Sequence, residues 1–223
     1  MKERFISYAQ EYEDLILHHV LKDVSEGRYI DVGANDPWEL SVTKAFYDVG
    51  WSGINIEPLP ESYDTLVQFR ERDENLCVGA GSEDGAMTLY KQGTMSTVCT
   101  KYASDYIEQQ SIPGKTLSRI VKESRFCDIT EIHFIKIDVE GFEKSVLCGI
   151  DFDIIRPWVF VMESTFPGTD TPCHDEWEHI LLDAGYAFAF QYGINRYYVE
   201  ETKIELKSRF LDPHALSEVY DIF

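Results

Sequence analysis

The stretch Arg28-Tyr29-Ile30-Asp31-Val32-Gly33-Ala34-Asn35 constrains this chain more than any other. An apolar run ends in an acid and then in small, turn-forming residues. A buried parallel strand reads this way where it stops at a ligand crevice, because open α/β sheets bind ligands outside the carboxyl ends of their strands. Gly33 has no Cβ, so the backbone there can approach a bound group closely. The run Gly53-Ile54-Asn55-Ile56-Glu57-Pro58 repeats the pattern. Its acid stands near the ~20-residue spacing at which a carboxylate meets a ribose diol.

Hydrophobic periodicity extends the reading in both directions. It predicts a helix from Tyr8 to Val24, a helix from Leu40 to Val49 ending near Gly50, a strand from Ile54 to Glu57, and a helix from Glu61 to about Arg72. A strand from Leu76 to Ala80 follows. The Asp84-Gly85 pair signals a hairpin into an added strand, Ala86 to Tyr90. Lys91 to Gly114 is polar with little periodicity and reads as a loop or irregular lid beside the site, with a short helix over Tyr102 to Gln109 as the alternative. Thr116 to Glu123 reads as a short helix. Ile132 to Asp138 is a near-continuous apolar run broken by Lys136, the pattern of a strand buried on both faces. Glu140 to Glu143 then turns the chain into a helix ending at Gly149. A strand from Trp158 to Met162 ends at Glu163, and a helix runs from His174 to Ala184. Two late strands, Tyr186 to Gln191 and Arg196 to Val199, and a helix after Pro213 complete the chain. This alternation predicts an α/β fold with a mostly parallel sheet, helices on both faces and a C-terminal antiparallel strand. We read residues 1–223 as one domain, with an N-terminal helical cap (1–27), a core (28–200) and a tail (201–223).

Charge narrows the partners. Forty acids stand against 20 bases, a formal net charge of -20. That balance argues against a nucleic-acid backbone, which needs clustered Lys and Arg, and against an anionic membrane surface. Cys77, Cys99, Cys127, Cys148 and Cys173 are scattered and form no Cys-x-x-Cys pair, so they read as reduced thiols rather than a zinc or redox motif. The first residues lack a signal peptide's apolar core, and no apolar run approaches a membrane span. The expected location is the cytoplasm, and no particular oligomer is indicated.

The acids Asp31, Glu57, Asp138 with Glu140, and Glu163 all stand at strand ends. In a parallel sheet they would face one crevice. Lys136 lies inside an apolar strand, where an unpaired charge is costly; it pairs with one of these acids or reaches the crevice. His174 is either a general base in the loop after the fifth strand or an ordinary helix-start residue, and the other five histidines show no ligand spacing. Phe166, Trp177 and Tyr192 either stack on a flat ligand or pack the core.

These stretches resemble FkbM-type methyltransferases, a branch of the S-adenosylmethionine (SAM) dependent enzymes. The resemblance rests on Asp31 to Asn35, Gly53 to Pro58 and Phe134-Ile135-Lys136-Ile137-Asp138-Val139-Glu140-Gly141-Phe142-Glu143, with weaker echoes at Ser7 to Asp14 and Ala80 to Gly85. It implies a Rossmann-like class I methyltransferase fold with a seven-stranded sheet, and SAM as cofactor. It assigns that cofactor to Gln10, Asp31, Gly33, Ala34, Asn35, Ser41, Glu57, Pro58, Ala80, Gly81, Ser82, Glu83 and Asp138. Gly33, Ala34 and Ser41 would meet the methionine part, Glu57 both ribose hydroxyls, and Ala80 to Glu83 the adenine. The chain departs from the family at Val78, where Asn is common, and at Gly81, where an aliphatic residue is usual.

The implied reaction is methyl transfer to a hydroxyl of a sugar or other small polar metabolite, that is, a small-molecule or glycan acceptor. An alcohol acceptor loses a proton, to a base or with help from a metal. Asp138, Glu140, Glu163 and Lys136 are the catalytic candidates. No metal ligand is assigned, although a divalent cation on Asp138, Glu140 and Glu163 is left open by the affinity of hard cations for carboxylates. Two alternatives stand. One is an NAD-dependent oxidoreductase, which lacks support from a Gly-x-Gly-x-x-Gly loop; the other is a non-catalytic SAM-binding partner protein.

Overall fold

The computed structural model of the chain describes residues 2–93, 95–102, 108–128 and 131–223. The chain enters through β1 (Glu3–Phe5) and α1 (Glu13–Val20), then β2 (Arg28–Val32), α2 (Lys44–Asp48), β3 (Ser52–Ile56), α3 (Pro60–Phe69) and β4 (Glu74–Leu76). A side excursion follows: β5 (Gly79–Ala80), β6 (Gly85–Lys91) and β7 (Glu108–Lys115), closed by α4 (Leu117–Glu123). The second half runs β8 (Phe134–Ile137), α5 (Glu143–Cys148), β9 (Val159–Glu163), α6 (Glu178–Asp183), β10 (Tyr186–Tyr192) and β11 (Asn195–Glu200). It ends with α7 (Pro213–Leu216) and β12 (Tyr220–Ile222).

Seven strands form the main sheet in the order β10-β11-β9-β8-β2-β3-β4. The sheet is mixed: its pairs are parallel except that β11 lies antiparallel to both β9 and β10. The chain begins this sheet at β2, builds outward to β4, and then returns to place β8 on the other side of β2. Strand order therefore reverses between β2 and β8, the position at which such sheets bind ligands. Ile30, Val32, Ile135 and Ile137 pack against α4, α5 and α6 on one face, while Tyr29 and Phe134 pack with Leu15, Ile16 and Val20 of α1 on the other. Apolar cover on both faces is why these strands read as continuous apolar runs.

Several sequence expectations need correction. The first helix begins at Glu13, not Tyr8. The Asp14 carboxylate accepts from the Ser7 hydroxyl and from the Tyr8 and Ala9 amides, and this local bonding outcompetes helix for the preceding segment. The expected strand Leu76 to Ala80 splits into β4, at the edge of the main sheet, and β5, in a second sheet of order β5-β7-β6. The expected loop Lys91 to Gly114 contains β7, which pairs antiparallel with β6 from Gly85↔Gly114 to Lys91↔Glu108. Only Ile112 and Gly114 of that strand are buried, so no apolar alternation announces it. The alternative helix over Tyr102 to Gln109 falls partly on residues 103–107, outside the described residues; Thr100–Tyr102 is a short 3-10 turn and Glu108–Gln109 belong to β7. The tail helix is α7, capped by Asp212. Beyond it β12 pairs parallel with β1, joining the two ends of the chain. Among the described residues no helix is long and apolar enough to cross a membrane.

Candidate active site

A crevice opens at the carboxyl ends of β2, β3 and β8. Gln10, Asp31, Gly33, Ala34, Asn35, Ser41, Glu57, Pro58, Ala80, Lys136, Asp138 and Glu140 all line it. Gly81, Ser82 and Glu83 are not part of its lining. They follow β5 toward α5, where the Ser82 amide donates to the Ser145 hydroxyl at 3.1 Å.

Gly33 is fixed by its neighbour strand. Its φ is 81°, and a Cβ there would stand 1.9 Å from the Asp138 carbonyl oxygen. The glycine is thus demanded first by the close approach of two strand ends at the switch point, not by a ligand. Its amide and that of Ala34 both donate to the Ile56 carbonyl, at 2.9 and 3.2 Å, which binds the loop to β3.

Glu57 follows β3 directly. Its two carboxylate oxygens accept from the Asn35 and Leu59 amides at 2.8 and 2.7 Å. Two backbone donors therefore aim the carboxylate, and each oxygen keeps a second lone pair. Burial pushes the Glu57 pKa up, opposed by those two amides and by Lys136.

The β2–β8 register sets Asp31 directly opposite Lys136. The Lys136 ammonium donates to the Gly33 carbonyl at 2.8 Å and lies 3.5 Å from Asp31 Oδ1 and 3.4 Å from Asp138 Oδ2. Burial would lower its pKa, but the Asp138 and Asp31 carboxylates hold it well above the ordinary lysine value. Asp31 Oδ2 accepts from the Thr43 hydroxyl at 3.0 Å, whereas Oδ1 is buried with no hydrogen bond among the described residues.

Beneath the loop after β2 lies a cation that sequence reasoning missed. Arg70 is 1% exposed, donates to Ser41 Oγ at 2.8 Å and to the Pro37 carbonyl at 3.1 Å, and pairs with Asp73 at 3.5 Å. Ser41 thus lines the crevice while braced from behind. Nothing in the sequence marks Arg70, since an arginine at the end of a polar helix is ordinarily solvated.

A group of four carboxyls closes the β8 end. Glu143, in the first turn of α5, folds back to accept from the Val139 and Gly141 amides at 3.2 and 3.0 Å. The loop it holds carries Glu140 at a left-handed φ of 54°. Burial pushes Glu143 up to about 7; burial, then Asp138 and Glu143, push Glu140 up to about 7. Glu163 is not a lining residue of the crevice; it is buried at the end of β9. Burial and the Asp138, Glu143 and Glu140 carboxylates hold its pKa well above the usual carboxylate range. Glu143 sits within the stretch that carries the family resemblance, yet its burial was not legible there. Glu13 was missed too: it lines the crevice, accepts from Asn195 Nδ2 at 2.7 Å, and is pushed up to about 7 by burial.

Among the described residues, the acids and histidines whose ligand atoms converge within 4.8 Å are His174, Asp175 and Glu178, not the strand-end carboxylates. Glu178 Oε1 already accepts from Arg196 and Tyr198, at 2.7 and 2.8 Å. His174 stands in a 3-10 turn, Trp177 is buried in the core, and Phe166 faces Tyr102 with ring centroids 6.3 Å apart.

A search among curated proteins found no match. The family model described as the methyltransferase FkbM domain matches residues 31–188. That span runs from β2 into β10 and takes in the switch point, Glu57 and all four grouped carboxyls. Matched over more than half its length, and carrying the strand order just described, the chain belongs to the methyltransferase FkbM domain family.

Proposed function

We propose that this methyltransferase domain uses SAM and methylates a hydroxyl of a sugar or other small polar metabolite. The observation that carries the cofactor is Glu57, a buried carboxylate aimed by two backbone amides at the end of β3. Two free lone pairs there suit a ribose diol, through charge-assisted hydrogen bonds. The rest of the lining fits a cation: among the described residues Glu13, Asp31, Glu57, Asp138 and Glu140 stand against the one ammonium of Lys136. Asp31 Oδ1 meets the Lys136 ammonium at 3.5 Å and makes no hydrogen bond among the described residues, so it keeps room to accept one. The same acid-rich wall disfavours the pyrophosphate of NAD.

When bound, SAM would supply a methyl group on a positively charged sulfur; the acceptor oxygen would form its bond to that methyl carbon as the carbon–sulfur bond breaks and S-adenosylhomocysteine leaves. The chain's part is to hold the two reactants and to take the hydroxyl proton. Asp138 lines the crevice with its side chain 38% exposed and is the acid best placed to receive that proton. Lys136, 3.4 Å from Asp138 Oδ2, keeps that carboxylate oriented. The acceptor is a small molecule or glycan, with no nucleic acid or membrane partner, in keeping with the net charge of -20. Five cysteines free of disulfides suit a reducing, cytoplasmic compartment.

Calorimetric titration with S-adenosylhomocysteine and with NAD tests the reading. Glu57→Ala should weaken S-adenosylhomocysteine by about 1.5–3 kcal/mol, roughly tenfold or more. Binding of NAD, or of neither ligand, would overturn it.

A further inference from the structure

A second hollow adjoins the crevice. It is lined by Gln92, Met95, Thr97, Tyr102, Glu140 and Pro167, and three of these, Met95, Thr97 and Glu140, also line the crevice. The two spaces therefore share a wall, as a donor and an acceptor for one displacement must.

That wall is held in place by specific contacts. Thr97 is 2% exposed; its hydroxyl donates to the Glu140 carbonyl at 2.8 Å and accepts from the Cys99 amide at 2.9 Å. Its backbone exchanges hydrogen bonds with Tyr90 at 2.8 and 3.1 Å, which ties the segment to β6. Across the hollow, Gly141 has φ 89°, and a Cβ there would stand 2.3 Å from the Tyr102 ring and 3.3 Å from Pro167. The bare glycine lets the aromatic ring lie on the loop that carries Glu140.

We infer that the acceptor binds in this hollow, against Tyr102 and Pro167 with its reacting hydroxyl reaching past Glu140 into the crevice toward Asp138, and that it is a neutral polyhydroxylated ring rather than an acidic or phosphorylated one. The inference rests on the methyltransferase reading above. Tyr102, Pro167 and Met95 offer apolar surface to the face of a ring, while the amide of Gln92 and the carboxyl of Glu140 meet hydroxyls. This mixture of apolar walls and a few polar groups is how small-molecule sites fix orientation. Among the described lining residues there is no Lys, Arg or His to neutralise an anion. Lys101 places its ammonium 4.6 Å from the Phe166 ring and 5.1 Å from that of Tyr102, and is not part of the lining. An anionic acceptor would instead face Glu140 with Asp138 behind it.

The test is saturation-transfer NMR on the protein loaded with S-adenosylhomocysteine, whose binding is measured first. The probes are the methyl glycosides of glucose, galactose, mannose, rhamnose and fucose, beside glucuronic acid, galacturonic acid and glucose 6-phosphate. Neutral rings are expected to give signals that fall at least tenfold in Tyr102→Ala and in Gln92→Ala, with S-adenosylhomocysteine affinity within twofold of the parent. Stronger signals from the acids or the phosphate, neutral signals that persist in both variants, or no signal from any sugar would overturn the assignment. Failure of S-adenosylhomocysteine to bind would instead bring down the cofactor reading, and the subsite with it.

Discussion

The ammonium of Lys136 lies 3.4 Å from the carboxylate of Asp138 and also donates to the Gly33 carbonyl at 2.8 Å. One buried cation thus ties together the ends of β2 and β8, the two strands between which the sheet reverses its order. Removing one partner of a buried ion pair strands the other charge. Lys136→Met should therefore cost about 3–5 kcal/mol in urea unfolding, and weaken S-adenosylhomocysteine as the Gly33 loop loses its anchor. A change below about 1 kcal/mol, in the range of an exposed pair, would show that water compensates the acids.

Gly33 offers a second route to the same junction. With φ at 81° and the Asp138 carbonyl 1.9 Å from any added Cβ, Gly33→Ala must displace one strand end. We expect a loss of about 1–3 kcal/mol from backbone strain, read as a lower denaturant midpoint at unchanged slope. A variant as stable as the parent would mean that the two strand ends separate easily.

Asp14 holds the segment that carries Gln10 into the crevice wall. Its carboxylate accepts from the Ser7 hydroxyl at 2.7 Å and from the Tyr8, Ala9 and Leu15 amides at 2.7, 3.3 and 2.8 Å. Asp14→Ala should destabilise by about 1.5–3 kcal/mol and speed proteolysis between Ser7 and Tyr12. Asn at the same position keeps an acceptor and should retain part of the order. Equal cleavage rates in parent and Asp14→Ala would refute the anchoring role.

Raised carboxyl pKa values give the stability a direction in pH. Burial puts Glu13, Glu140 and Glu143 near 7 and Asp14 near 6 in the folded chain. Below about pH 4 both states hold these protons and the stabilisation is complete. Between about pH 4 and 7 the unfolded chain releases them first, so stability falls as pH rises and levels off above the folded values. Thermal midpoints should be higher at pH 5.5 than at pH 8. Glu143→Gln retains a carbonyl acceptor for Val139 and Gly141 and removes one titration, flattening the slope by up to about 1.4 kcal/mol per pH unit over that window. An unchanged slope in that variant would assign the trend to the overall net charge instead.

The sequence by itself determined the order of the central elements and the acids at the strand ends. Both are local patterns: a strand covered on two faces is a continuous apolar run, and it must end where the chain becomes polar. Asp31, Glu57 and Asp138 were therefore legible, and so was the need of Lys136 for a partner. Tertiary structure alone decided which groups lose water and which neighbours meet. It gave Lys136 two carboxylates, placed Arg70 under Ser41, folded Glu143 onto its own loop, and buried Glu163 outside the crevice lining. It also formed β7, whose half-exposed residues carry no period, and unwound Tyr8 to Tyr12 around Asp14. Burial and proximity are sums over residues distant in the chain, so neither has a signature in any short stretch of it.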